Sequence, residues 1–303
     1  MRRSIPHIVA ALALVASTGL ATEALADDHP TRDPSKTKVA HAEPAAEPAP
    51  YRAHFGFADL YVPTFFHPVD GTYDLIVHFH GVPILQEENI EKTPINAVVV
   101  SVTLGIGSGA YSSAYQGPAA FASLLAKTQA KLDESGRAPG AHLGRLAITA
   151  WSAGFGAVGQ ILGQPENARK IDAILLADGL HANYLGDHTI NDAALAKYAA
   201  FAELAKRNEK LFALTHSAIQ TEGYPSTTQT IGELLVMTHV DKTPEEGVVG
   251  VRGMKMLYEA DRGSFHVKGY EGGGIHDHVD HIKGMYDTMY PYLQARWSRQ
   301  TAH

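Results

Sequence analysis

Residues 145–162, RLAITAWSAGFGAVGQIL, carry the pattern that decides the fold. An apolar run ends at Ala150, and a helical pattern of small residues begins directly after Ser152. A change from strand to helix at one residue requires a sharp turn, and the small residues Ala150 and Gly154 leave room for it. The stretch therefore predicts a buried strand, a strained serine at the turn, and a helix that packs closely on the sheet.

Apolar runs on both sides of this unit repeat the alternation of strand and helix. Continuous apolar strands separated by helices are typical of a mostly parallel sheet covered by helices on both faces, so we predict a single α/β domain of this kind. The segment 53–62 alternates more than the others, which favours an antiparallel edge strand. The predicted strands are 53–62, 74–80, 97–103, 145–150, 171–177, 210–215 and 263–270, and the predicted helices are 118–134, 153–164, 191–207, 226–238 and 277–296.

The N-terminal residues have the pattern of an export signal. Arg2 and Arg3 precede a short apolar run at 8–16, and Ala24-Leu25-Ala26 follows as a cleavage site with small residues. The apolar run is too short to span a membrane, so we expect no stable membrane anchor. We predict that residues 1–26 are a signal peptide and that cleavage near Ala26 releases a periplasmic or secreted protein.

Composition limits the remaining partners. Residues 27–50 are rich in proline, alanine and charge and are predicted to be a disordered linker that leads into a folded domain over 51–303. The chain carries a formal charge of −7 and has no cluster of lysine and arginine in the predicted domain, so nucleic acid is not an expected partner. Because the chain has no cysteine, a disulfide scaffold, a zinc–thiolate site and a cysteine nucleophile are excluded. No pattern indicates the oligomeric state.

A second motif lies upstream, where the apolar run LIVHFHGVP at 75–83 ends in His-Gly. Together with the turn at Ser152, it resembles the α/β-hydrolase superfamily of serine esterases and lipases, over roughly residues 51–299 as an order of elements. The resemblance implies the α/β-hydrolase fold and an oxyanion hole made by the backbone N–H groups of Val82 and Ala153. Pro83 has no N–H group and cannot take this role.

The resemblance also implies the chain order serine, acid, histidine. Asp178 follows the predicted strand 171–177 beside a glycine, at the strand end where open α/β sheets place their sites. Most members of the superfamily place the acid one strand later. That strand ends here in Thr215-His216-Ser217 and offers no carboxylate, so Glu222 in the following loop is the nearest alternative. We predict Asp178 as the acid and keep Glu222 in reserve.

The base is expected in the last loop, which reads EGGGIHDHVDH over 271–281. In the superfamily, the histidine lies at or just before the start of the final helix. If Asp277 caps that helix, His278 lies in its first turn near the loop. We therefore predict His278 as the base, with His276 and His281 in reserve.

The same histidines fit a second motif, because residues 276–281 have the form HxHxDH. This is similar to the metal-binding motif of the metallo-β-lactamase superfamily, in which imidazoles and a carboxylate hold zinc. There the motif lies in the first half of the domain, whereas here only a helix and a short tail follow it. We expect no metal and no other cofactor. A metal-dependent hydrolase and a non-catalytic binding protein on the same fold remain the alternatives.

Three aromatic residues are predicted to contact the substrate. Trp151 adjoins Ser152, and Tyr111 and Tyr115 lie in the glycine- and serine-rich segment 104–116. No long insertion provides a lid, and an open site favours small-molecule or polymeric esters as substrates. The sequence thus predicts an exported serine hydrolase that cleaves an ester, thioester or amide through an acyl-enzyme.

Overall fold

The structure is a computed structural model that describes residues 49–245 and 247–300, with the backbone alone at 299 and 300. The predicted signal peptide and almost all of the predicted linker lie outside these residues. The first strand begins at Tyr51. Within the described part of the chain, no helix is both long enough and apolar enough to cross a membrane.

Strands and helices alternate along most of the described chain. The strands are β1 (Tyr51–Phe55), β2 (Ala58–Val62), β3 (Thr72–Phe79), β4 (Val98–Val102), β5 (His142–Trp151), β6 (Ala173–Ala177), β7 (Leu211–His216), β8 (Thr243–Pro244), β9 (Met256–Arg262) and β10 (Phe265–Tyr270). The helices are α1 (Pro83–Lys92), α2 (Ser108–Ala114), α3 (Pro118–Ser135), α4 (Phe155–Leu162), α5 (Pro165–Ala168), α6 (Asp192–Lys206), α7 (Thr227–Thr238), α8 (Ile275–Lys283), α9 (Met285–Thr288) and α10 (Tyr290–Gln300).

The strands of the described residues form one ten-stranded sheet in the order β1-β2-β4-β3-β5-β6-β7-β10-β9-β8. The six strands from β4 to β10 in that order are parallel, and the strands at both edges are antiparallel. Crossover helices join the parallel strands, which places helices on both faces. The predicted fold class, a mostly parallel sheet between helices, is confirmed. The strand order is that of the α/β-hydrolase fold.

Each face of the sheet buries its own apolar cluster, because successive side chains of a strand point to opposite faces. In β3, Leu75, Val77 and Phe79 belong to one cluster, which α3, α4, α6 and α7 cover. Ile76 points to the other face and belongs to a second cluster with apolar residues of α1 and α8–α10. Burial on both sides explains why the central strands read as continuous apolar runs.

The structure differs from the predicted elements at both ends of the domain. The segment 53–62 forms two antiparallel strands, because Gly56 adopts a left-handed backbone conformation (φ 64°) and starts a turn. The predicted helix 277–296 is divided into α8, α9 and α10, and α8 ends at Lys283, with Gly284 as its C-cap. Helix α8 begins at Ile275, so Asp277 is not its N-cap. Instead, an Asp277 carboxylate oxygen accepts the Gly274 N–H from inside the first turn, at 2.8 Å.

Candidate active site

Ser152 lies at the turn between β5 and α4 with φ 47°, a left-handed conformation that is strained for a residue with a side chain. Tight packing around the turn maintains this strain. A Cβ atom on Gly154 would lie 2.1 Å from the carbonyl oxygen of Phe79, and one on Gly179 would lie 2.6 Å from both the backbone N and O of Ser152. Gly154, two residues after the serine, must therefore be glycine, because a side chain there would collide with the end of β3.

Asp178 follows β6 and is 1% exposed. Its Oδ1 accepts hydrogen bonds from the Ser217 N–H and the Thr227 hydroxyl, both at 2.9 Å, and its Oδ2 lies 2.7 Å from Nδ1 of His278. Burial raises the pKa of Asp178. The hydrogen bond from His278, nearby imidazoles and the Ser217 N–H outweigh burial, so the pKa of this carboxyl lies well below its usual range. Asp178 is therefore ionised at neutral pH.

His278 lies in α8, and its ring is fixed by Asp178. A carboxylate only accepts hydrogen bonds, so the proton of the neutral imidazole lies on Nδ1 and Nε2 keeps a lone pair. Ser152, Asp178 and His278 line one cavity of about 290 Å³, which we call the first cavity; its other lining residues are His181, Ser217, Ile219, Thr221, Tyr224, Thr227, Gly273, Gly274 and Ile275. An acid–base pair and a strained serine thus meet in one cavity.

A second cavity of about 420 Å³ also contains Ser152. Ala153 lines it, with Ile106, Gly107, Ser108, Phe155, His181, Ala182 and Tyr224. Val82, the other residue predicted for the oxyanion hole, lines neither cavity. Its backbone N–H has no hydrogen-bond acceptor among the described residues.

Two side-chain hydrogen bonds, one from a buried histidine and one from an exposed threonine, fix the turn that leads to Val82. His80 and Gly81 both have positive φ, 75° and 107°. Nε2–H of the buried His78 donates to the His80 carbonyl at 2.7 Å, and the Thr103 hydroxyl donates to the Gly81 carbonyl at 2.7 Å. Burial lowers the pKa of His78 to about 3, so this donor stays neutral. With both carbonyls held, the orientation of the following N–H group is defined.

Trp151 does not line either cavity, in contrast to the predicted substrate contact. Its indole stacks on His80, with ring centroids 5.1 Å apart, and also lies against His278, with centroids 4.6 Å apart. Its Nε1–H donates to the backbone carbonyl of His278 at 2.9 Å. Trp151 therefore joins the strand that carries the serine to the helix that carries the base.

The other predicted substrate contacts, Tyr111 and Tyr115, lie in the core, and neither lines a cavity with Ser152. The Tyr111 hydroxyl accepts the Leu104 N–H at 3.0 Å and lies 2.9 Å from Nδ1 of His80. Tyr115 packs edge-on against Phe79. Both tyrosines face the sheet, which a glycine-rich sequence does not indicate.

The reserve residues have other surroundings than the predicted base. His276 is exposed at the start of α8, and Glu222 is exposed in the loop after β7. His281 is buried against the Thr215 hydroxyl, with Nδ1 and Oγ1 2.8 Å apart, and burial lowers its pKa to about 4. None of the three is hydrogen-bonded to Asp178 in the described structure.

The HxHxDH residues point to different partners. His278 contacts Asp178, Asp280 pairs with Arg252 at 2.5 Å, and His281 contacts the Thr215 hydroxyl. In the described residues, no three histidine, aspartate or glutamate side chains converge in a way that could hold a metal ion.

The sequence did not indicate the residues that hold Asp178 or the histidine that stands beside Ser152. Ser217 and Thr227 lie 39 and 49 positions from Asp178, and nothing in their local sequence marks them as its donors. His181 lines both cavities. Its only signal is its place in Asp178-Gly179-Leu180-His181, three residues after the predicted acid.

The strand order and the strained serine between β5 and α4 define a protein with the α/β-hydrolase fold. No family model matches the sequence, and no curated protein does. Several solved structures are similar. A feruloyl esterase module from Clostridium thermocellum is 13% identical, with a TM-score of 0.46 over 78% of this chain and 82% of its own. A siderophore hydrolase from Aspergillus nidulans is 13% identical, with a TM-score of 0.44 over 86% and 98%. The enterobactin esterase of Shigella flexneri is 14% identical, with a TM-score of 0.43 over 80% and 56%.

Proposed function

We propose that the protein is an exported serine hydrolase that cleaves an ester through an acyl-enzyme on Ser152. The observation that carries the proposal is the 2.7 Å contact between Asp178 and His278 in the cavity that the strained Ser152 also lines. An ionised, buried carboxylate that fixes one nitrogen of an imidazole leaves the other nitrogen as a base. This is the arrangement that activates a serine hydroxyl for attack on a carbonyl.

The chemistry follows from the positions of the protons. His278 Nε2 takes the Ser152 hydroxyl proton while Oγ attacks the carbonyl carbon, and Asp178 stabilises the imidazolium that forms. The imidazolium then gives its proton to the leaving oxygen, so the alcohol departs and the acyl group stays on Ser152. His278 then takes a proton from a water molecule, which attacks the acyl carbon. As the acid leaves, the imidazolium returns this proton to Ser152 Oγ, which restores the free enzyme.

The negative charge of the tetrahedral intermediate needs donors that are already in place. We assign this role to the backbone N–H groups of Ala153 and Val82. Ala153 follows the serine and lines the second cavity. The Val82 N–H follows a turn whose preceding carbonyls are held by His78 and Thr103, which keeps the donor fixed.

The two cavities suggest where the halves of an ester lie. The leaving alcohol must lie near His278, which protonates it, and this favours the first cavity for the alcohol. The acyl group then extends into the second cavity, next to Ala153. We propose a small-molecule or polymeric ester or thioester as substrate, with an amide as second choice.

The first test is covalent labelling of the protein lacking residues 1–26 with a fluorophosphonate probe. We expect labelling of the wild type, loss in Ser152→Ala, strong loss in His278→Ala, and no change in Ser113→Ala, a matched exposed serine on α2. Labelling must also survive EDTA, which separates a serine mechanism from a metal-dependent one. A folded wild type that is not labelled would refute the serine mechanism and favour a binding protein on this fold.

Export is tested separately. The full chain is expressed with its first 26 residues, and the N-terminus of the protein in the exported fraction is read by mass spectrometry. A mature protein that begins near Asp27 supports cleavage at the predicted site. Retention of the uncleaved chain in the cytoplasm would contradict it.

A further inference from the structure

His181 occupies a distinctive place beside Ser152. Of the described residues, three line both the first and the second cavity: Ser152, His181 and Tyr224. A ligand that extends from one cavity into the other across the serine therefore passes His181. The proposed mechanism uses His181 neither as the acid nor as the base.

The protonation of His181 follows from its hydrogen bond. Its Nδ1 lies 3.0 Å from the carbonyl oxygen of Pro225, and a carbonyl oxygen only accepts hydrogen bonds. Nδ1 thus carries the proton, and in the neutral ring Nε2 has a lone pair. Burial lowers the pKa of His181, against the opposing effects of the Pro225 carbonyl and Asp178, which favours the neutral ring at pH 7.

The ring is held in place, whereas Nε2 is open to a ligand. Phe155 contacts the His181 ring in a tilted arrangement and Tyr224 contacts it edge-on, with ring centroids at 5.5 Å and 5.2 Å. In the described structure, Nε2 of His181 has no protein partner. Among the described residues, the only buried side-chain nitrogen or oxygen without a hydrogen-bond partner is Nε2 of His281. Nε2 of His181, which has no partner either, is therefore not buried. An oriented acceptor is therefore accessible on a residue that lines both cavities.

We propose that His181 is a specificity-determining residue that accepts a hydrogen bond from a hydroxyl group of the substrate, close to the ester bond. The inference rests on the proposed function and names the substrate class, esters of hydroxy acids or of polyols. A fixed acceptor favours such a substrate, because a substrate without the hydroxyl displaces water from Nε2 and gives no bond in return.

Two pairs of esters test the proposal, each pair differing in one hydroxyl group. p-Nitrophenyl 3-hydroxybutanoate is compared with p-nitrophenyl butanoate, and 2-hydroxyethyl butanoate with propyl butanoate. We expect the wild type to favour the hydroxylated ester of at least one pair by about tenfold in kcat/KM, the range of a single net hydrogen bond. In His181→Phe, which keeps an aromatic ring but has no acceptor, the ratio should fall to about one.

The conservative variant His181→Gln keeps an acceptor oxygen and should recover part of the preference. Equal rates for both members of both pairs in the wild type, or a preference that persists in His181→Phe, would overturn the inference. A fall of both substrates in His181→Phe to the level of His278→Ala would also overturn it, by placing His181 in proton transfer. Fluorophosphonate labelling separates the two proposals: a labelled wild type without hydroxyl preference refutes the specificity role alone, whereas an unlabelled wild type refutes the serine mechanism as well.

Discussion

The contact between Gly179 and the backbone of Ser152 allows a quantitative test of the site. Replacing Gly179 with alanine adds a Cβ atom 2.6 Å from both the N and the O of Ser152. Ordinary van der Waals contact begins at about 3.4 Å, so the two segments must separate by about 0.8 Å. Either Ser152 or the adjacent Asp178 moves, because Gly179 lies directly after the predicted acid.

A displacement of this size has a predictable cost. Misplacing reacting groups by about 1 Å lowers the rate about 100-fold, so we expect a loss of about 50- to 100-fold in kcat for Gly179→Ala. Overpacking of this kind also costs about 1–3 kcal/mol of folding free energy. The protein should therefore remain folded while activity falls.

The assay compares Gly179→Ala with Gly186→Ala in the same loop. A Cβ atom on Gly186 would meet no atom within 4 Å, so this control should keep its activity. Hydrolysis of p-nitrophenyl butanoate and the rate of fluorophosphonate labelling are measured for both variants, with thermal unfolding as the test of folding. If folded Gly179→Ala reacts as fast as the wild type, the close packing does not position Ser152.

Three further predictions follow from other contacts. Asp178→Asn removes the charge that fixes the His278 tautomer and should lower kcat by about 10⁴ with KM little changed, as steady-state kinetics will test; activity within tenfold of the wild type would contradict Asp178 as the acid. Trp151→Phe removes the indole donor to the His278 carbonyl and should lower kcat by about tenfold, whereas an unchanged kcat in a folded variant would show that this hydrogen bond does not position the base. Burial lowers the pKa of His281 from 6.5 in the unfolded chain to about 4 in the folded protein, so folding favours the neutral ring. This stabilisation is complete above pH 6.5 and is lost as pH falls toward 4. It amounts to about 3 kcal/mol. Between pH 6.5 and pH 4, the free energy of urea unfolding should fall less in His281→Leu than in the wild type. An equal fall in both proteins would show that His281 is not its cause.

Local sequence was sufficient to predict the turn at Ser152, because this part of the site is formed by one strand and the helix that follows it. The change from apolar strand to small-residue helix at Ser152 needs no distant partner, and the structure shows the strained turn that this pattern implies. The chain order of serine, acid and histidine directed attention to Asp178 and His278, which the structure places 2.7 Å apart. That pairing spans 100 residues, so it could be proposed only from the resemblance.

The directions in which Tyr111 and His181 point could not be predicted from the sequence, because they are set by tertiary contacts. Tyr111 lies in a short helix that turns its ring onto the core, and a segment rich in glycine and serine contains no periodic signal for that face. His181 is oriented by the carbonyl of Pro225, 44 residues further along the chain. The break in the final helix at Gly284 was hidden because the apolar stripe continues on both sides of it.

The contacts of Trp151 with His80 and His278 also provide an optical signal of the site. An imidazolium ion in contact with an indole quenches its fluorescence more strongly than a neutral imidazole does. The chain has two tryptophans, so in a Trp297→Phe variant the emission comes from Trp151 alone. That emission would report on the two imidazoles that contact the indole, His80 and His278, without a substrate or an added dye.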